Sequence, residues 1–117
     1  CATLESGFDC IAGTLGAESL ISKADIVVTA EGSLDSQTLE GKAPYGVSRL
    51  ARKHGVPVYA LAGRIADREI LLAHFDGIAS IMDSPVTLEQ AIAEAPKLLE
   101  STAASLAGII AQADRCI

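Results

Sequence analysis

One stretch of the sequence, residues 24–46, constrains the fold of this chain more than any other part. It opens with five apolar or β-branched residues, 26–30, as expected of a buried strand. A polar segment containing Gly32 and Gly41 follows, and a helix can begin at Pro44 because proline suits the first helical turn. The stretch therefore predicts a strand, a loop and a helix N-terminus, an arrangement whose unpaired amide groups can bind an anion.

The same stretch contains neither of the common nucleotide-binding motifs. A P-loop needs a glycine five residues before Gly41, where this chain has Ser36. It also needs serine or threonine after the lysine, where this chain has Ala43. The dinucleotide-binding pattern G-x-G-x-x-G does not occur in the sequence either. Spacing alone therefore leaves the identity of the anion open.

Short apolar segments along the chain predict strands, and segments of helical periodicity alternate with them. This βαβαβαβα order favours an α/β fold with an open parallel sheet of about four strands. Helices are expected on both faces of the sheet, in the three-layer arrangement of Rossmann-like domains. The predicted strands are residues 7–12, 25–30, 56–61 and 77–82.

The predicted helices follow the strands. Residues 43–54 have clear helical periodicity, and Gly55 suits the left-handed position after a helix end. Thr87 and Gln90 fit a capping box at the start of a long closing helix, which Pro96 is expected to kink. The other predictions are helices at residues 16–23 and from the N-cap Asp67 to residue 75, and a turn at residues 83–85.

Composition narrows the range of partners. The 117 residues fit one domain, 1–117, and the formal net charge of −6 argues against nucleic acid or an anionic membrane surface as a partner. No apolar run is long enough to span a bilayer. The three cysteines, Cys1, Cys10 and Cys116, lack metal-ligand spacing, which favours reduced thiols in a cytoplasmic protein.

The central stretch also resembles a family signature. Residues 24–47 read ADIVVTAEGSLDSQTLEGKAPYGV and are similar to the pattern ADLVITGEGxxDxQTxxGKxPxGV of the bacterial glycerate kinase family, of the two-domain type. The similarity continues at residues 6–9 and 61–63 and near residues 87–91, so it covers nearly the whole chain. Two positions depart from it, because Ala30 stands where the family usually has glycine and Ser33 where it often has arginine.

This resemblance implies an ATP-dependent kinase that transfers the γ-phosphate of ATP to a hydroxyl group of D-glycerate, with ATP and Mg²⁺ as cofactors. It also implies that the chain is the C-terminal portion of a larger protein, because members of the family are longer and this sequence begins with Cys1. The rest of the kinase chain would then supply part of the active site. The fragment alone is therefore expected to be inactive.

Phosphoryl transfer needs bound phosphates, neutralised charge and a deprotonated acceptor hydroxyl. In an open parallel sheet, ligands bind beyond the carboxyl ends of the strands, and the segments at Glu31 and Gly63, which follow the second and third predicted strands, share one crevice there if those strands are neighbours. With the resemblance, we predict Asp35 as the base or metal-linked carboxylate, Glu31 as its partner and Lys42 as the neutralising charge. Glu31 and Asp35 are also the predicted Mg²⁺ ligands, directly or through water. The other residues predicted to bind substrate or phosphate are Gly32, Gln37, Thr38, Gly41 and Gly63.

Other interpretations of the same residues are open. Composition alone favours Glu31, Asp35 and Lys42 as solvated loop charges, and the resemblance reverses that preference. The alternative function is a non-catalytic α/β module that binds a small anion at Gly41 and Lys42, or a regulatory module. A third interpretation is a structural domain that assembles, for example as a homodimer, through the alanine-rich face of the last helix.

Overall fold

The computed structural model describes residues 2–82 and 86–115. Three strands form one parallel sheet in the order β1-β2-β3, with helices before, between and after them. The elements are α1 (Gly7–Leu15), α2 (Ala17–Ser22), β1 (Val27–Leu34), a 3-10 helix (Ser36–Glu40), α3 (Ala43–Lys53), β2 (Val58–Ile65), α4 (Arg68–Leu72), β3 (Gly77–Ser80), α5 (Leu88–Ala93) and α6 (Ala95–Arg115).

The main core lies between one face of the sheet and the helices α3 and α4. Val58, Ala60 and Ala62 alternate along β2 and therefore point to the same face, where they are buried. Ala51 of α3 and Leu71 of α4 belong to the same buried cluster, and both are 0% exposed. This face is closed to solvent along the middle of the sheet.

The other face of the sheet is covered only in part, by α6. Leu61 and Gly63 of β2 line an apolar cleft of about 610 Å³ together with Ala95 and Leu99 of α6. On the neighbouring strand, Val28 of β1 remains 49% exposed. Helices thus lie against both faces of a parallel sheet, which confirms the predicted α/β fold class.

The segment predicted as the first strand is the helix α1. Its N-cap is Ser6, whose Oγ accepts a hydrogen bond of 3.4 Å from the amide of Asp9, and Gly16 ends it with a left-handed φ of 66°. Residues 7–12 are too few for apolar composition to distinguish a strand from a helix, whereas the cap and the terminal glycine define a helix. The sheet consequently has three strands within the described residues.

Both β1 and β2 extend further than predicted. β1 continues to Leu34 and β2 to Ile65, so the segments after residues 30 and 61 are paired strand and not loop. Glu31 pairs with Ala62 and Ser33 with Arg64, so these polar residues are part of the parallel sheet. Because strand pairing depends on a distant segment, the polar composition of this region led to a wrong prediction of loops.

Several local predictions are confirmed. Helix α3 is followed by Gly55 in a left-handed conformation, with a φ of 69°. The amide of Gln90 donates to Thr87 Oγ1 and the amide of Thr87 donates to Gln90 Oε1, both at 3.1 Å, as a capping box requires. Cys10 is exposed, and its reduced state stays a prediction. Cys1, Cys116 and the predicted turn at residues 83–85 lie outside the described residues.

The closing segment is two helices and not one kinked helix. Helix α5 ends at Ala93 and α6 begins at Ala95, so that Pro96 occupies the first turn of α6. Proline is tolerated there because the first-turn amides lack partners within the helix. The predicted kink is therefore a break. None of the described helices is both long and apolar enough to cross a membrane.

Gly46 of α3 is required by the packing of Phe8 of α1. A Cβ atom at position 46 would lie 2.5 Å from Cγ and Cε1 of the Phe8 ring, well inside van der Waals contact. We expect Gly46→Ala to force α1 away from α3 and to lower the free energy of unfolding by about 1–3 kcal/mol in urea denaturation.

Gly108→Ala in α6 is the matched control for this change. No atom lies within 4 Å of a Cβ atom added at Gly108. Replacing a helical glycine by alanine should then raise the free energy of unfolding by about 0.5–1 kcal/mol. If both variants changed stability alike, contact with Phe8 would not be the reason for glycine at position 46.

Candidate functional site

The carboxyl-terminal halves of β1 and β2 form the floor of a crevice at one edge of the sheet. The strands are parallel neighbours, with Glu31 opposite Ala62. Gly63 approaches β1 so closely that a Cβ atom on it would lie 2.7 Å from the carbonyl oxygen of Gly32. The two segments that the topological argument assigned to a common crevice are therefore in direct contact.

Two clefts adjoin above this floor, between the sheet and the helices α5 and α6. The first, of about 610 Å³, is apolar apart from Glu31 and the exposed backbone. The second, of about 460 Å³, includes Gly32, Ser33 and Arg64 in its lining. The residues that line both clefts are Gly63, Ile81 and Ala95.

Glu31 has a carboxylate that is available to a ligand. The side chain is exposed at the rim of the first cleft, and its Oε1 accepts a hydrogen bond of 3.3 Å from the amide of Gly32. The second carboxylate oxygen has no hydrogen-bond partner in residues 2–82 and 86–115. A ligand that enters the crevice can therefore meet this oxygen without displacing a protein contact.

Asp35 is held as the N-cap of the 3-10 helix. Its Oδ1 accepts a hydrogen bond of 2.9 Å from the amide of Gln37, and its own amide donates to Thr38 Oγ1 at 3.1 Å. Thr38 is 0% exposed, so its hydroxyl group completes the cap and does not face solvent. The cap fixes the Asp35 carboxylate in one orientation.

Glu31 and Asp35 do not lie close together along the strand. The backbone between them is extended, through β1 and into the extended conformation of Asp35. At the usual rise per residue, four such steps separate their Cα atoms by roughly 13 Å. Among the residues that the structure describes, no group of three or more His, Cys, Asp or Glu side chains is placed to hold a metal ion.

Gly41 and Lys42 join the 3-10 helix to α3. Gly41 has a φ of 111°, a conformation that favours glycine, and Lys42 is the exposed N-cap residue of α3. Gly41 does not line either cleft above the sheet. It lines a separate cleft of about 210 Å³ beside α1, where Arg49 and Asp9 form an ion pair at 3.5 Å.

The structure thus divides the predicted site residues into groups. Glu31, Gly32 and Gly63 share the crevice, whereas Gly41 lies beside α1. The side chains of Gln37 and Lys42 are exposed and have no partner among the described residues. Asp35 lies between the two regions in sequence, at the end of β1.

Two residues make contacts with the site segments that were not predicted. Ser80, 6% exposed, donates its hydroxyl hydrogen to the Gly63 carbonyl oxygen at 3.1 Å and accepts from the amide of Met82 at 3.0 Å. Asp67 accepts a hydrogen bond of 3.1 Å from the amide of Ser36. The contact of Ser80 with Gly63 and that of Asp67 with Ser36 have no signal in the sequence, because each joins segments that lie far apart along the chain.

Comparisons with known proteins agree on one family. The model of the glycerate kinase family matches residues 1–111. The glycerate kinase of Bacillus subtilis (strain 168) is 39% identical over 111 residues, which are 93% of this chain and 29% of that protein. The glycerate 2-kinase of Escherichia coli (strain K12) is 36% identical over 93 residues, which are 77% of this chain and 24% of that protein.

A solved structure is also similar. The crystal structure of putative glycerate kinase 2 from Salmonella typhimurium LT2 superposes with a TM-score of 0.71 at 33% sequence identity. The match covers 97% of this chain and 29% of that chain. The chain therefore spans less than a third of the length of these relatives.

Proposed function

The chain belongs to the glycerate kinase family, and from that premise we propose that it is the C-terminal portion of a two-domain kinase that transfers the γ-phosphate of ATP to a hydroxyl group of D-glycerate. The observation that carries this proposal is the crevice where Glu31, Gly32 and Gly63 meet at the carboxyl ends of two parallel strands. Open α/β sheets bind their ligands at this edge, and glycines there let phosphate oxygens approach the backbone.

In the proposed reaction, Asp35 is the general base. Its carboxylate takes the proton of the glycerate hydroxyl as the oxygen bonds to the γ-phosphorus, while the bond to the bridging oxygen breaks and ADP leaves. The N-cap contact with the amide of Gln37 orients the carboxylate for this step. Lys42, exposed at the start of α3, neutralises phosphate or carboxylate charge on the bound substrates.

For Mg²⁺ we propose a narrower ligand set than the predicted pair of Glu31 and Asp35. Roughly 13 Å of extended backbone between Glu31 and Asp35 does not suit one ion bound directly by both carboxylates. A single carboxylate together with phosphate oxygens is a ligand set that Mg²⁺ accepts. We assign this role to Glu31, whose second oxygen is without a partner in the described part of the chain; the ion would neutralise phosphate charge.

The exposed apolar surface on the α6 side supports a requirement for the rest of the kinase chain. Ile26 and Val28 near the start of β1 are 41% and 49% exposed, and Leu99 across the cleft is 48% exposed. Parallel sheets are normally covered on both faces. We propose that the remaining chain covers this apolar face and completes the active site. Residues 1–117 alone should then be inactive. The complete enzyme is proposed to be cytoplasmic.

A coupled assay of ADP release tests the proposal. The full-length protein that contains these residues is compared with residues 1–117, each with ATP, Mg²⁺ and D-glycerate, and ATP hydrolysis without glycerate is subtracted. We expect turnover by the full-length protein and none by the fragment. No glycerate-dependent turnover by the full-length protein would contradict the proposal, and Ala30→Gly with Ser33→Arg would then test whether the two departures are the cause.

A further inference from the structure

Asp67 is unusual in its backbone and in the use of its side chain. Its φ of 54° and ψ of 41° make it the only non-glycine residue with a positive φ among the described residues. It occupies the N-cap position of α4, where an aspartate normally accepts a hydrogen bond from the helix, but its side chain makes no such bond. Instead Oδ2 accepts a hydrogen bond of 3.1 Å from the amide of Ser36, 31 residues away.

This contact fixes the peptide that follows Asp35. The amide of Ser36 belongs to the Asp35–Ser36 peptide, whose carbonyl oxygen accepts a hydrogen bond of 3.0 Å from the amide of Thr38. The residue before Asp35 is also held, because the Leu34 carbonyl oxygen accepts from the amide of Ala66 at 2.8 Å. Hydrogen bonds from Ala66 and to Asp67, both in the segment after β2, therefore hold the backbone on both sides of Asp35.

We propose that Asp67 is a positioning residue for Asp35 in phosphoryl transfer. The inference rests on the proposed function, in which Asp35 takes the proton of the substrate hydroxyl. A left-handed conformation is unfavourable for a non-glycine residue, although aspartate tolerates it better than most residues. Asp67 adopts this conformation although its carboxylate does not cap α4. The carboxylate instead binds the amide of Ser36, so the side chain stabilises the backbone next to Asp35.

Two substitutions separate the side-chain contact from the backbone conformation. Asp67→Gly adopts the positive φ without strain but removes the acceptor for the Ser36 amide. Asp67→Asn keeps an oxygen acceptor and tolerates the left-handed conformation. In the full-length protein we expect Asp67→Gly to lower kcat for D-glycerate by about tenfold to a hundredfold, with KM values changed by less than about threefold. Asp67→Asn should retain kcat within about threefold of the wild type.

Asp76 provides a matched control for a structural effect. Its Oδ2 accepts a hydrogen bond of 2.8 Å from the amide of Val58, at the opposite end of β2. Asp76→Ala removes a carboxylate–amide contact of the same kind, far from the crevice. It should lower the temperature of unfolding but leave kcat per folded enzyme within about twofold of the wild type.

Hydrogen exchange adds a measurement that does not depend on activity. The amide of Ser36 should exchange faster in Asp67→Gly than in the wild type or Asp67→Asn. Three outcomes would overturn the positioning role of Asp67 and leave the proposed function standing. They are unchanged exchange at Ser36, a wild-type kcat in Asp67→Gly, and an equal loss of kcat in Asp76→Ala. Absence of turnover in the wild-type protein would overturn the proposed function, and the role with it.

Discussion

Under the proposed mechanism, Asp35→Asn is expected to abolish turnover of D-glycerate by the full-length protein while leaving the fold intact. Asparagine keeps an oxygen acceptor for the amide of Gln37 and is as good an N-cap residue as aspartate. It cannot take a proton from the substrate hydroxyl, and loss of a general base lowers kcat by about 10²–10⁴-fold. Steady-state kinetics and thermal unfolding of the same preparation measure the two effects separately.

Asp35→Ala is the companion variant, because it removes the cap together with the carboxylate. It should lose activity to the same extent and in addition lose about 1 kcal/mol of stability, the usual cost of an N-cap replaced by alanine. Near-normal turnover in Asp35→Asn would remove the carboxylate of Asp35 from the mechanism. If Asp35→Asn were instead destabilised like Asp35→Ala, the loss of activity would report the cap and not the base.

The elements that could be predicted from the sequence are those defined by local signals. Helix α3 has its periodicity and Gly55, and α5 has the capping box of Thr87 and Gln90. By contrast, the C-terminal half of β1 is polar, and only its pairing with β2 makes it a strand. The strand prediction for residues 7–12 was wrong for the opposite reason, because the apolar composition of a short segment does not distinguish a strand from a helix.

The candidate site shows the same division. The topological rule predicted one crevice for the segments at Glu31 and Gly63 if their strands were neighbours, and β1 and β2 are parallel neighbours in the sheet. The contact of Ser80 with the Gly63 carbonyl oxygen spans 17 residues, and that of Asp67 with the amide of Ser36 spans 31. Such contacts depend on the register of packed segments, which no local pattern in a single sequence encodes.

Gly63→Ala is expected to have the largest effect on the crevice itself. The added Cβ atom would lie 2.7 Å from the carbonyl oxygen of Gly32. This oxygen belongs to the backbone, so it cannot relieve the clash by a change of rotamer as a side chain could. The two strands must separate locally, which also strains the contact of Ser80 with the carbonyl oxygen of Gly63. We expect a loss of about 1–3 kcal/mol in the free energy of unfolding, together with loss of activity in the full-length protein.

Gly32→Ala, on the other side of the same contact, shows whether the loss of activity comes from the fold or from the ligand. No atom lies within 4 Å of a Cβ atom added at Gly32, and its φ is not positive. The free energy of unfolding should therefore stay the same or rise by up to about 1 kcal/mol. If phosphate oxygens approach the backbone here, KM for ATP or glycerate rises in a fully stable protein. Unchanged kinetics in Gly32→Ala would mean that the substrates do not contact the backbone at Gly32, and that the glycine of this crevice matters only at Gly63, for the close approach of β1 and β2.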